Sequence, residues 1–448
     1  MKRLIYPSFR VYYRFQRWRR RRFTKAGFLV MCLIIAAAVA GIDTNRTMAY
    51  QSFTFLVALI VISVVWSIFF RIRLTATRVL PKFGTVGEPL CYRIVVQNPS
   101  KTAEKGLFLF ENFEDPRPGL KEFLTSSEPG EEKRNIFDRT VGFYRWQWLI
   151  SRKQAFKVKE QPLPVTLPEI PVEITPSNRG HLNFTGITIA RPDPLGLFNS
   201  LVTIPAKQSV MVLPKRYILP DLRLPGTRRY QSGGIALTSS VGESEEFISL
   251  RDYRPGDSLR RIHWKSWAKI GKPVVKEYQD EFFVRHALVL DTFQEAEFSE
   301  VFEEAVSVAS SFACTVRTQE SLLDLMFVGP EAYCFTSGRG LAHTDKTLRI
   351  LASVSPCTDK PFSELPPLVF NRADILSGCI CIFLSWDEQR KNFIGQLREF
   401  GIPLLVLVVT EDNADGKTDF DPGPMKDIPE NFHRLETGKI QEGLEGLY

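Results

Sequence analysis

Two long apolar runs stand close together near the start of the chain. Gly27 to Ile42 holds no charged residue, and Phe53 to Phe70 repeats the pattern, with Trp66 and Phe69-Phe70 near its end. Each approaches the ~17–20 residues that a helix needs to cross a ~30 Å hydrocarbon layer, where a spanning segment must satisfy its own backbone. The connector from Asp43 to Gln51 is short. Residues 27–42 and 53–70 therefore predict a two-helix transmembrane hairpin.

From residue 72 to 213 the pattern changes to short runs broken by turn residues. Leu90 to Val96 alternates and stops at Asn98-Pro99-Ser100. Gly106 to Phe110, Val141 to Ile150, Phe156 to Val158 and Val172 to Thr175 read as further strands. Pro162, Pro164, Pro168, Pro171 and Pro176 oppose a helix and fit an edge strand or extended connector. The expectation is an all-β, sandwich-like domain over residues 72–213 with a spacer or interaction role. Residues 214–244, with Pro214, Pro220, Pro225-Gly226 and Gln231-Ser-Gly-Gly, read as a linker.

Past residue 282 strand and helix patterns alternate. Ala287 to Leu290 is a compact apolar strand ending at Asp291. Phe298, Val301, Phe302, Ala305, Val306, Ala309, Phe312 and Ala313 then recur at three- and four-residue steps, one face of a helix. Leu322 to Val328, Cys379 to Leu384 and Pro403 to Thr410 read as strands, and Leu341 to Val354 and Asp387 to Phe400 as helices. Fully apolar strands alternating with helices imply a Rossmann-type α/β domain: a largely parallel sheet covered on both faces, with binding sites at the carboxyl ends of its strands.

Charge sharpens the topology. The chain has 448 residues and a net charge of +8, yet residues 1–26 hold ten Lys or Arg and no acid, leaving −2 for the rest. The net charge thereby loses its force as evidence for nucleic-acid binding by the body of the protein. Cationic segments beside membrane spans stay in the cytoplasm. Residues 1–26 thus read as a basic cytoplasmic tail, and Arg71, Arg73, Arg78 and Lys82 keep the far side of the hairpin there too. A cleavable signal peptide is the alternative, since Ala38-Val39-Ala40 has the small residues of a cleavage site. The tail's aromatics, among them Tyr6, Phe9, Tyr12, Tyr13, Phe15 and Trp18, fit anchoring at anionic membrane lipid. Composition, with 24% charged and 44% hydrophobic residues, excludes wholesale disorder and a polytopic transporter. Seven cysteines without framework spacing agree with a reducing compartment, and Cys379-x-Cys381 reads as buried small hydrophobes.

The densest chemistry begins at Gly242-Glu243-Ser244-Glu245-Glu246-Phe247 and runs through Leu250-Arg251-Asp252-Tyr253-Arg254-Pro255-Gly256-Asp257 and Arg260-Arg261-Ile262-His263-Trp264-Lys265 to Ala268-Lys269. This series resembles domain-of-unknown-function family 58, whose members carry Leu-Arg-x-Tyr-x-Pro-Gly-Asp and Arg-x-Ile-x-Trp-Lys in this order. Arg179-Gly180 followed by Asp193-Pro194-Leu195-Gly196-Leu197-Phe198 is similar to a second signature of that family. The resemblance implies a bacterial inner-membrane protein with two amino-terminal spans, both termini cytoplasmic, and a von Willebrand factor A-like carboxyl domain. It also implies an association with MoxR-type AAA+ ATPases and no established activity.

Domains of the von Willebrand A type often hold a divalent cation on Asp-x-Ser-x-Ser after the first strand. Here the matching place reads Asp291-Thr292-Phe293-Gln294-Glu295, so Phe and Glu stand where the serines should be. Asp291, Ser385 and Asp387 remain as candidate ligands of a degenerate divalent-cation site, and a metal-free strand end is the other reading.

Arg254-Pro255-Gly256-Asp257 is a turn signal, with Asp257 placed to cap a following short basic helix. Arg251, Tyr253, Arg254, Asp257, Arg260, Arg261, Trp264 and Lys265 are the candidate partner-binding residues. The competing reading of this stretch is an internal ion-pair network with Glu243, Glu245 and Glu246. His263 with Asp252 or Asp257 would be needed for a hydrolase or nuclease, but no nucleophile has a characteristic setting. No Walker-type loop is present, so ATP use would have to come from a partner. The expected function is a non-enzymatic membrane adaptor without a cofactor, binding a protein partner. A membrane-bound hydrolase and a metal-dependent adhesion module are the alternatives.

Overall fold

The computed structural model describes residues 2–40, 47–69, 74–98, 106–128, 130–154, 163–164, 169–220, 247–257, 259, 262–278, 284–296, 298–315, 321–337, 341–411 and 421–447. It is a mixed α/β chain with several sheets. Two compact units divide it, Met1–Lys215 and Arg216–Tyr448.

The first unit opens with three helices, α1 (Lys2–Arg22), α2 (Lys25–Ala40) and α3 (Thr47–Ile68). Met48–Ile68 is the one helix among the described residues that is long and apolar enough to cross a membrane, and α2 is a shorter apolar helix packed beside it. Helix α3 begins within the expected connector, because Thr47 to Ser52 continue the helical turn in front of the apolar run.

The basic tail is itself folded. Tyr6 and Phe9 are one turn apart on α1 and bury against Phe123, Trp146, Leu149 and Ile150. The Tyr6 hydroxyl donates to the Pro118 carbonyl at 2.9 Å. Their partners lie on an insert of three short helices, α4 (Leu120–Thr125), α5 (Ile136–Val141) and α6 (Phe143–Lys153). This corrects the strand expected over Val141 to Ile150. Its aromatic content suits a strand, but Trp146, Leu149 and Ile150 share one helical face, and burial of that face against α1 decides the matter. The strand expected at Phe156 to Val158 lies outside the described residues.

Among the described residues the β part of this unit has eight strands: β1 (Thr75–Val79), β2 (Phe83–Thr85), β3 (Leu90–Gln97), β4 (Phe108–Phe113), β5 (Leu163–Pro164), β6 (Glu169–Ile174), β7 (Gly180–Pro192) and β8 (Asn199–Leu213). They form a three-stranded sheet, β1-β3-β6, and a five-stranded sheet, β2-β8-β7-β4-β5. One core serves both, with Tyr92, Ile94 and Ile170 from the first sheet meeting Leu109, Phe184 and Val212 of the second. A buried polar knot joins the sheets. The Arg78 guanidinium clasps Glu111 at 2.7–3.0 Å and donates to the Gly186 and Ala206 carbonyls, while the Tyr92 hydroxyl donates to Glu111. Each buried charge has a partner, which is the condition for keeping it inside.

The Asp193–Phe198 signature is a joint. Asp193 is buried and accepts the N–H groups of Leu195, Leu197 and Phe198, which fixes a tight turn. That turn receives the start of α2: the Thr24 hydroxyl donates to the Gly196 carbonyl, and the Phe23 and Phe198 rings meet edge to face at 5.1 Å. Gly27 lies so close that a Cβ there would sit 2.0 Å from the Leu197 oxygen.

In the second unit β9 (Phe247–Asp252) and β10 (Val274–Tyr278) form an antiparallel pair enclosing the short helix α7 (Trp264–Ile270). The main sheet follows, with order β13-β12-β11-β14-β15-β16. Its strands are β11 (Val284–Leu290), β12 (Ser321–Val328), β13 (Ala332–Ser337), β14 (Gly378–Phe383), β15 (Leu404–Thr410) and β16 (Phe432–Glu436), and all neighbours are parallel except β12 and β13. Alternation along each strand feeds two cores. Leu288, Ile380 and Leu407 face α8 (Glu300–Thr315), α9 (Leu341–Ser353) and α12 (Ile440–Glu445), whereas Val289, Cys381 and Val406 face α10 (Leu365–Phe370) and α11 (Glu388–Glu399).

The expected linker is in part folded. Tyr217 donates its backbone N–H to Ser311 Oγ at 2.8 Å, and the Ile218 backbone exchanges two hydrogen bonds with the Gln441 side chain. Its residues 221–244 lie outside the described residues.

Candidate functional site

The signature segment is a turn held by an ion pair between Arg251 and Asp257. Arg251 leaves β9 and presents Nη1 and Nη2 to the two oxygens of Asp257 at 2.7 and 2.8 Å. The same carboxylate accepts the Arg254 N–H at 2.8 Å, and Gly256 takes a φ of 107° that lets the chain reverse. Hydrogen bonding to Arg251, and then to the Arg254 backbone, lowers the Asp257 carboxyl to about 2. Asp257 therefore stays a carboxylate at any physiological pH.

Asp257 does not cap the helix, contrary to expectation. A capping residue must directly precede the first helical turn, and α7 begins seven residues later at Trp264. What anchors the return is Ile262, buried beside Val275, with the His263 N–H donating to the Val274 carbonyl at 2.9 Å. The helix stops at Gly271, whose φ of 72° admits the closing bond to the Trp267 carbonyl.

Six of the predicted partner-binding residues lie in this segment: Arg251, Tyr253, Arg254, Asp257, Trp264 and Lys265. Arg260 and Arg261 fall outside the described residues, as do Glu243, Glu245 and Glu246 of the competing network. Arg251 with Asp257 is the ion pair that is described. The His263 ring bonds Ser266 of its own turn at 2.7 Å and, among the described residues, no carboxylate. The Trp264 and Trp267 rings stack at 5.1 Å and 20°, and Leu259, Trp264 and Ile270 are each at least 60% exposed. Trp264 thus stands exposed on Trp267 with the exposed Lys265 next to it, and Leu259 and Ile270 are exposed elsewhere in the same segment. Leu259 reads from the sequence as part of a helical spacing with Ile262, Trp267 and Ala268, whereas Ile270 was not singled out.

At the carboxyl end of β11 the structure places Asp291 in the crevice against β14. The carboxylate is fully buried and accepts the N–H groups of Phe293 and Leu384 at 3.0 and 3.2 Å. Its remaining partner is Arg390, whose Nε donates at 2.7 Å while Nη1 reaches Asp387 at 2.5 Å. Burial pushes the Asp291 carboxyl upward, and the guanidinium opposes that push. The candidate metal site is corrected accordingly. The position between Asp291 and Asp387 is held by a guanidinium, Ser385 is exposed and bonded to neither, and a divalent cation would meet a positive charge there. Among the described residues no three His, Cys, Asp or Glu converge on a point that could hold a metal ion. Arg390 was legible as Asp387-x-x-Arg390, an i to i+3 pair at the start of a helix.

Residues 249–366 match the family described as "Protein of unknown function DUF58". The chain is also 26% identical over 176 residues to the uncharacterized protein YeaD of Bacillus subtilis (strain 168). That alignment covers 39% of this chain and 42% of the relative, so less than half of either protein enters the likeness. The matched family segment begins within β9, contains the Arg251–Asp257 turn and α7, and runs on to the end of α9 and the start of α10.

Proposed function

We propose that this protein is a non-enzymatic adaptor of the bacterial inner membrane. Helices α2 and α3 form a two-span hairpin with both termini cytoplasmic, supported by the apolar length of α3 and by the cationic residues on both flanks. Its carboxyl unit is von Willebrand factor A-like, a reading supported by the central parallel strands, one antiparallel edge and helices on both faces. The partner is a protein, a MoxR-type AAA+ ATPase.

One observation carries the reading. In the signature segment an exposed Trp264, stacked on the half-buried Trp267, stands beside the exposed Lys265 while the Arg251–Asp257 pair holds the turn. Aromatic anchors bordered by charge are what protein interfaces use as hot spots, each costing more than ~2 kcal/mol on truncation. Trp264 and Lys265 together suit an apolar groove with an acidic rim.

Proximity labelling from the carboxyl terminus in intact cells tests it. The wild-type chain is expected to label an AAA+ ATPase, with recovery falling at least tenfold in a Trp264→Ala, Lys265→Glu variant that is still membrane-bound and protease-resistant. Unchanged recovery in that variant, or no ATPase from the wild type, overturns the proposal.

A further inference from the structure

In the first unit a cavity of 640 Å³ lies between the second half of α1 and the strands β4, β7 and β8. Arg14, Arg17 and Arg21 recur along α1 at steps of three and four and form one wall. Arg117 stands on the other wall. Four guanidiniums thus line a single cavity, and Asp115 is the one carboxylate among its lining residues.

Asp115 uses both oxygens on Arg117 Nε and Nη2. The Arg117 Nη1 is buried and has no hydrogen-bond partner. Arg21 is steadied by the Asn112 side chain at 2.6 Å and by the Glu111 carbonyl. Asn112 in turn donates to Thr188, which is 3.0 Å from the Thr203 hydroxyl, so the floor is polar and ordered. Guanidinium forks match the oxygens of a phosphate in both charge and geometry. The Thr188–Thr203 hydroxyl pair, bonded to each other, keeps one O–H to offer as a neutral donor. Tyr13, Trp18 and Phe113 supply apolar wall for a carbon-bearing substituent, and the volume is that of an ordinary ligand pocket rather than of one bare anion.

We propose that this cavity is a phosphate-binding site, taking the phosphate of an anionic lipid headgroup or of a soluble phosphate compound. The inference is independent of the adaptor reading, since none of its residues belongs to the signature segment.

The test uses the full chain in dodecylmaltoside micelles. Native mass spectrometry after addition of phosphatidylglycerol or phosphatidylcholine reads the lipid source, and calorimetry with inorganic phosphate and glycerol 3-phosphate reads the soluble one. An Arg14→Gln, Arg117→Gln variant is compared with an Arg10→Gln, Arg20→Gln control of equal charge. Retention of phosphatidylglycerol lost at least tenfold in the first variant and within twofold of wild type in the control assigns the site to lipid. The same pattern with inorganic phosphate or glycerol 3-phosphate assigns it to a soluble compound. Equal behaviour of variant and control with every probe, or no binding by the wild type, overturns the site. If the double variant does not fold, Arg14→Gln alone carries the same outcomes, because Arg14 lies on the exposed surface of α1.

Discussion

Replacing Arg390 by glutamine isolates the charge at the sheet crevice. The guanidinium is 6% exposed and Asp291 is 0% exposed, so the substitution leaves a buried carboxylate with two backbone N–H donors and no opposing charge. Breaking a buried pair from one side costs about 3–5 kcal/mol. The two surviving backbone bonds place this case at the lower end, about 3 kcal/mol. The loss also acquires a pH dependence. Burial raises the folded-state Asp291 carboxyl above its unfolded value, and removing Arg390 leaves that push unopposed. Stability is then kept at pH below the unfolded value and lost as pH rises through the folded one, so the deficit is larger at pH 8 than at pH 5. An Asp291→Asn, Arg390→Met chain removes both charges and is expected to return to within about 1–2 kcal/mol of wild type. Pulse proteolysis in urea on the full chain in micelles, followed through a carboxyl-terminal tag, measures each step. About 3 kcal/mol corresponds to a midpoint shift of roughly 1 M or more. A single variant within 1 kcal/mol of wild type at pH 8, or a double variant no better than the single, would refute the dependence of Asp291 on the guanidinium.

Acid should weaken the second unit through His286. Burial lowers its imidazole to about 4, against an ordinary value of 6.5, so the unfolded chain takes up a proton where the folded one resists. Its share of stability is whole above pH 6.5 and is lost as pH falls toward 4, by up to about 3 kcal/mol. His286→Leu should flatten that part of the urea-midpoint profile, and an unaltered profile would count against it. Gly27→Ala places a methyl where 2.0 Å separates it from the Leu197 oxygen, and should cost about 1–3 kcal/mol by forcing α2 off the Asp193–Phe198 turn. Protease cleavage within that turn reads the displacement, and continued protection would show that the joint has slack.

Much of the second unit was legible because its strands are buried on both faces. Ala287 to Leu290, Cys379 to Leu384 and Pro403 to Thr410 are apolar runs of strand length, and the Val301 to Ala313 pattern admits only a helix. The edge strand β13 was not legible, since only β12 pairs with it and its side chains are largely outside the core. The Val141 to Ile150 part of the insert was misread as a strand because aromatic residues favour strands locally, while the partner that makes it helical is α1, more than a hundred residues earlier. Site residues divide in the same way. The Arg251 to Lys265 series is contiguous and visible in the chain, whereas Arg390 reaches Asp291 across 99 positions.

The sequence by itself determined the two apolar segments, the concentration of positive charge before them, the alternation of buried strand and helix, and the signature turn. All four depend on neighbours a few residues apart, where periodicity and turn chemistry act. Only the tertiary structure decided that the basic tail is a docked helix, that Gly27 closes a joint with Leu197, and that a guanidinium holds the strand-end position that was one candidate for a cation. Those outcomes depend on which distant groups share a low-dielectric interior, and an unpaired charge or a displaced backbone there costs more than local preference can offset.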